Sequence, residues 1–158
     1  MKPLIAFAIL MAAAHVKADT KVVMCDVAKF VDGDVDFLVE TTIPGDFKSL
    51  ESITMALMIH GGEVENKQIS TDFSPQAIKS SSHFKGAKPL VSYFRGARIE
   101  ERMIILSFTE EAMRYLNNTA SIQEIIKGSL EETLKLHFPK TKGLQYEIDG
   151  KIEEDWDA

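Results

Sequence analysis

Residues 121–150 read SIQEIIKGSL EETLKLHFPK TKGLQYEIDG, and this stretch decides the fold class. Ile122, Ile125, Ile126, Leu130 and Leu134 recur at the three- and four-residue spacing of a single helix face. Ser121 and Glu124 have capping-box spacing, in which the hydroxyl and the carboxylate each satisfy an unpaired amide at a helix start. The helix is predicted to run to His137 and to stop at Pro139, with Glu131 and Lys135 paired across a turn on its wet side. Leu144-Gln145-Tyr146-Glu147-Ile148 then alternates apolar and polar like a half-buried strand, and Asp149-Gly150 supplies a turn. A long helix followed directly by a strand places the chain in a mixed class.

Working outward, Met103 to Phe108 is apolar on both faces, which predicts a central strand. Leu90 to Phe94 is its expected hairpin partner, joined through Gly96 and a polar stretch from Arg98 to Arg102. Thr109 to Leu116 reads as a short helical turn. Near the start, the β-rich runs Lys21–Phe30 and Val35–Ile43 flank Val31-Asp32-Gly33-Asp34, and Asp-Gly between two such runs is a strong hairpin signal. Pro44-Gly45 closes that unit. Ser49 then caps a helix from Leu50 to His60, which Gly61-Gly62 stops. Residues 63–89 show no period and are expected as one long loop, with one helical turn around Pro75 to Lys79. In order, the elements predict a single α/β (α+β) domain, a small sheet with two main helices on one face in the order β(hairpin)-α-β-β-α-β.

The first residues have a separate role. Met1 and Lys2 lead into an apolar run from Leu4 to Ala14 that ends in Val16-Lys17-Ala18, the pattern of a secretory signal peptide with cleavage after Ala18. The run is shorter than the roughly 20 apolar residues that span a bilayer. The expected mature domain, 19–158, has 140 residues, and its formal charge moves from −6 to −8. Such a charge argues against nucleic acid and anionic membranes as partners. No stable membrane span is expected after signal removal, and the localisation expected is periplasmic or extracellular.

An exported domain stapled by disulfides needs an even set of cysteines, and Cys25 stands alone. Its readings are a buried strand residue, a disulfide between two chains, or the nucleophile of a hydrolase with one of the histidines. Asp32, Asp34 and Asp36 begin like a calcium loop, but the sixth and twelfth positions are Phe37 and Ile43 where glycine and glutamate are needed. His60, His83 and His137 have no metal-ligand spacing, and Gly61-Gly62 follows a helix instead of opening one, as a phosphate loop would. No catalytic, cofactor or metal residue is predicted. Asn117-Asn118-Thr119 is a formal glycosylation acceptor. The tail Glu153-Glu154-Asp155-Trp156-Asp157 is acidic around the only tryptophan and either docks that ring or frays.

Several of these features resemble the GerMN domain of bacterial sporulation and lipoprotein-type proteins. The opening strand with Asp-Gly and Phe37-Leu38-Val39-Glu40 resembles that family's first segment, and Ser49 to Gly62 its first helix. Lys88-Pro89-Leu90-Val91 with Gly96, then Met103 to Phe108 and Thr109-Glu110-Glu111, are similar to its central hairpin. His137-Phe138-Pro139, followed by Tyr146-Glu147-Ile148-Asp149-Gly150-Lys151, is similar to its closing helix stop and strand. The resemblance implies a non-catalytic cell-envelope protein that acts by contact with another envelope protein or by self-association. The alternative expectation is a secreted small-molecule or lipid-binding protein with a pocket between helices and sheet, for which Met55, Met58, Met103 and Met113 provide deformable apolar side chains.

Overall fold

The structure, a computed structural model, describes residues 18–60, 63–64, 67–70 and 84–157. Met1–Lys17 of the expected leader, the Gly61-Gly62 stop, the turn expected at Pro75 to Lys79, and His83 lie outside the described residues. The class is mixed α/β, as the sequence predicts. The strands divide between two four-stranded sheets instead of forming one.

The first sheet has the order β2-β1-β4-β3, with β1 (Asp19–Asp26), β2 (Leu38–Pro44), β3 (Glu63–Val64) and β4 (Lys67–Ser70). β1 and β2 pair antiparallel from Asp19↔Pro44 to Cys25↔Leu38. Their connection is not the two-residue turn that Asp-Gly suggests. Asp26 accepts a hydrogen bond from Lys29 N–H at 3.3 Å and starts a short helix α1 (Val27–Val31), after which Gly33, at φ +75°, carries the chain back. The Asp26 carboxylate captures the chain locally before a tight turn can close. Part of the stretch expected as one long loop is strand: β4 pairs with both β3 and the end of β1.

The second sheet has the order β5-β6-β7-β8, with β5 (Phe94–Glu100), β6 (Met103–Phe108), β7 (Gly143–Ile148) and β8 (Lys151–Ile152). β6 is central, as predicted, antiparallel to β5 and parallel to β7. The predicted first arm of this hairpin is displaced. Leu90–Tyr93 is a 3-10 turn, and the strand occupies Phe94–Glu100, which includes most of the stretch read as a polar connection. The turn is instead Glu101-Arg102, at φ 49° and 68°. Two left-handed residues form the mirror-image turn that suits a hairpin's twist, here without the usual Asn-Gly. Asp149-Gly150, at φ 47° and 83°, is the expected turn and leads into a further short strand, β8.

The helices that follow are α2 (Leu50–Ile59), a short α3 (Met113–Leu116) and α4 (Ala120–His137), with α4 packed on β1, β2 and β7 and α2 on β5. Ser49 caps α2 in a capping box whose third-position partner is Ser52. α4 ends at His137 as read, but it begins one residue before Ser121, with Thr119 as its cap residue and no side-chain cap bond. Its buried face, Ile122, Ile125, Ile126, Ser129, Leu130, Thr133 and Leu134, is the predicted stripe with two small polar residues added. Each buried Ile or Leu there contributes about 1.5–3 kcal/mol of apolar transfer. Gly128 lets α4 lie against β2, since a Cβ at that position would stand 2.7 Å from Leu38 Cδ1. Val22, Met24 and Ile43 from the first sheet join Ile104, Leu106, Phe108 and Tyr146 from the second, and both helices, in one core.

Candidate functional site: interaction surfaces

Cys25 sits in β1, 1% exposed, in a small apolar cluster with Phe37 and Ile125. His137 lies beside Lys21 of the same strand, four residues or roughly 13 Å from Cys25 along the chain. Asp32, Asp34 and Asp36 are exposed, and Asp34 accepts a hydrogen bond from Asp36 N–H at 2.9 Å. His60 is an exposed helix-end residue. Among the described residues no group of three or more His, Cys, Asp or Glu side chains is placed to hold a metal ion. No described helix is long and apolar enough to cross a membrane.

α4 makes an unusual contact with β1. Its Thr133 Oγ1 accepts from Val23 N–H at 2.8 Å, and one turn later His137 Nε2–H donates to Lys21 O at 2.7 Å. The helix thus pairs with a strand edge through side chains at i and i+4, which share one helix face. Sequence periodicity marks Thr133 only as a small polar residue inside an apolar stripe.

On the outer face of the second sheet, Arg98 of β5, Ser107 of β6 and Glu147 of β7 form a row. Arg98 grips Glu147 with two bonds of 2.7 and 3.2 Å, donates to Glu100 at 2.9 Å, and Ser107 donates to Glu147 at 2.7 Å. The Arg98 guanidinium and the Ser107 hydroxyl hold the Glu147 carboxyl down at about 2. A bidentate arginine–carboxylate pair ties β5 to β7 across β6, with a geometry lysine cannot reproduce.

The tail docks. Trp156 packs edge-on against Tyr146, with centroids 5.6 Å apart, and Lys127 Nζ stands 3.2 Å from the indole centre. Asn117 and Asp157 exchange two hydrogen bonds, Nδ2 to Oδ2 at 3.0 Å and N–H to Oδ1 at 2.9 Å, which fastens the segment. Burial pushes the Lys127 amine down to about 8, with Glu131 opposing. It pushes the Tyr146 phenol well up, and the Glu131 carboxylate adds to that shift. Glu131 therefore faces Lys127, one turn earlier, and among the described residues no ion pair joins it to the Lys135 predicted for it.

An open, largely apolar groove lies where α4 ends beside the β5–β6 turn. Ile99, Phe138 and Pro139 form the floor of a groove of about 400 Å³, with Arg102, His137 and Lys140 at its rim. Ile99 is 48% exposed, although strand alternation puts it on the core-facing side of β5. Arg102 is held in place by two hydrogen bonds to Lys140 O, at 3.0 and 3.1 Å. A second pocket, about 240 Å³, lies between α4 and β6–β7 and is ringed by Glu131, Glu132, Lys135 and Lys142. The sequence does not mark this groove, because Ile99 sits in a polar stretch and Phe138 and Pro139 read only as a helix stop. No family model, no curated protein and no solved structure matches this chain.

Proposed function

We propose that this protein is an exported, non-catalytic interaction module of the cell envelope that binds another envelope protein through the groove at Ile99, Phe138 and Pro139. The groove carries this reading. An exposed aliphatic side chain on the core-facing side of a strand, next to Phe138 and Pro139, presents apolar surface that water disfavours. The rim cations Arg102 and Lys140 stand out on a chain of formal charge −6, so the matching partner segment has a bulky apolar side chain flanked by acidic residues. The leader pattern at Met1–Ala18 and the GerMN resemblance support the envelope setting.

Two measurements test this. N-terminal sequencing of the chain recovered from its native host should begin at Asp19, and a cytosolic chain that retains Met1 would end the export reading. A photo-crosslinker placed at Ile99 should join one defined envelope protein, and Ile99→Asp should abolish capture of that protein by the full chain. Equal capture by wild type and Ile99→Asp would remove the groove from the proposal. The carrier reading draws on the charged 240 Å³ pocket, whose rim suits a polar ligand better than a lipid. A small molecule retained in native mass spectrometry would favour it.

A further inference from the structure

Antiparallel pairing turns the N–H and C=O groups of alternate residues toward opposite edges of a strand. The bond from Asp26 N–H to Phe37 O, 2.8 Å, identifies these two as a facing pair in the β1–β2 ladder. Stepping by two along the register, Val39, Thr41 and Ile43 face β1, whereas Leu38, Glu40 and Thr42 face outward. The same alternation sends Lys21, Val23 and Cys25 of β1 to the opposite edge. That edge is closed, by His137, by Thr133 and by β4 respectively.

β2 is the terminal strand of its sheet, and among the described residues no hydrogen bond reaches the outward N–H and C=O groups of Leu38, Glu40 and Thr42. Glu40 and Thr42 are exposed. Among the described residues, one edge of the hairpin is covered by a helix and a strand, while the other presents a run of backbone groups with no partner. Such an edge is a template for strand addition.

The geometry points to β2 as a pairing site for β2 of a second copy of this chain, antiparallel about a two-fold axis at Thr41. This deepens the interaction-module reading and rests on it. Every axis centred on a residue of β2 keeps outward groups opposite one another, and an axis at Val39 or Ile43 sets an outward residue against one beyond the end of β2, Thr42 against Asp36 or Glu40 against Asp46. An axis at Glu40 opposes two like charges, which is unfavourable. An axis at Thr42 sets Glu40 opposite Pro44, which has no N–H to return, and moves Leu38 opposite Asp46 beyond the strand end, so it forms fewer bonds than an axis at Thr41, where only Leu38 meets Pro44. An axis at Thr41 sets Glu40 opposite Thr42 of the second copy, with both bonds exchanged, and Leu38 opposite Pro44 of the second copy. It also sets Val39 against Ile43 of the second copy on the inner face. Lys21 already lies 3.4 Å from Glu40 in its own chain. In this register the second copy's Glu40 lies on the same face as Lys21, one strand beyond Thr42, so each cross-strand row carries one lysine and one glutamate. The contact is made mainly by backbone hydrogen bonds, so the association is weak and depends on concentration.

Sedimentation equilibrium of the full chain should show a monomer–dimer equilibrium. Thr42→Pro removes an outward donor that makes no bond among the described residues, and it should give a monomer with an unchanged far-ultraviolet spectrum. Thr41→Cys brings two thiols to the axis, where Cα atoms of a non-hydrogen-bonded pair lie about 4.5 Å apart, within disulfide range. It should form a linked dimer under mild oxidation, while Thr42→Cys, which faces Glu40, should not. Should Thr42→Pro fail to fold, the two cysteine variants still decide. A wild type that stays monomeric at every concentration, a dimer that folded Thr42→Pro leaves intact, or Thr42→Cys linking as readily as Thr41→Cys would overturn the pairing. Loss of the dimer with crosslinking at Ile99 intact removes this inference alone, and the converse removes only the groove.

Discussion

Thr133 Oγ1 accepts the amide proton of Val23 at 2.8 Å, joining two residues 110 positions apart. The bond makes a helix side chain do the work of a neighbouring strand, because Val23 N–H points to an edge that β4 reaches only at Cys25. Thr133 is fully buried and Val23 partly so, which shields the bond from water.

Thr133→Val keeps the shape and removes the acceptor. It should destabilise the protein by about 1–3 kcal/mol, the usual penalty for stranding a buried donor. Urea denaturation measures it, and Thr133→Ser should recover most of the loss.

Glu147 sets an acid limit. Its folded value of about 2 lies below the ordinary 4.5, so its contribution is complete above about pH 4.5 and is lost as pH falls toward 2. Arg98 is nearly half exposed, which keeps the effect small and sensitive to salt. Glu147→Gln should therefore lose less stability than wild type between pH 4.5 and 2 in acid-unfolding curves at low salt.

Lys127 acts in the opposite range. Its folded value of about 8 lies below the ordinary 10.5, so the unfolded chain holds its proton more tightly and stability rises as pH goes from about 8 to 10.5. Lys127→Met should flatten that rise. The only tryptophan, Trp156, reports tail docking directly: Asn117→Ala, which removes both bonds to Asp157, should shift its emission to the red.

Glu101 occupies the left-handed region at φ 49° and makes its turn without the side chain that suits it. Asn tolerates that region better, so Glu101→Asn should stabilise the protein by roughly 0.5–1 kcal/mol in thermal melts. Arg102 should be left in place, since its guanidinium holds Lys140 O.

Local chemistry made several features legible in the sequence. The stripe from Ile122 to Leu134, the Ser49 cap, the Asp149-Gly150 turn and the central character of Met103–Phe108 each depend on residues a few positions apart, and each is present. Local signals also misled where two of them competed. Asp32-Gly33 promised a tight turn, but Asp26 started a helix first. Glu101-Arg102 forms a hairpin turn that no Asn or Gly announces.

Tertiary structure alone decided the division into two sheets, the closure of β1 by Thr133 and His137, and the row of Arg98, Ser107 and Glu147. It also decided the docking of Trp156 on Lys127. His137 and Lys21 are 116 residues apart, and Arg98 and Glu147 are 49 apart. A side chain's period shows which face it occupies, but its partner is set by which other element packs there. The same reason hid the groove and the bare edge of β2. Ile99 and Phe138 become one surface only when α4 ends beside the β5–β6 turn, and Thr42 faces outward only because β1 lies on its other side.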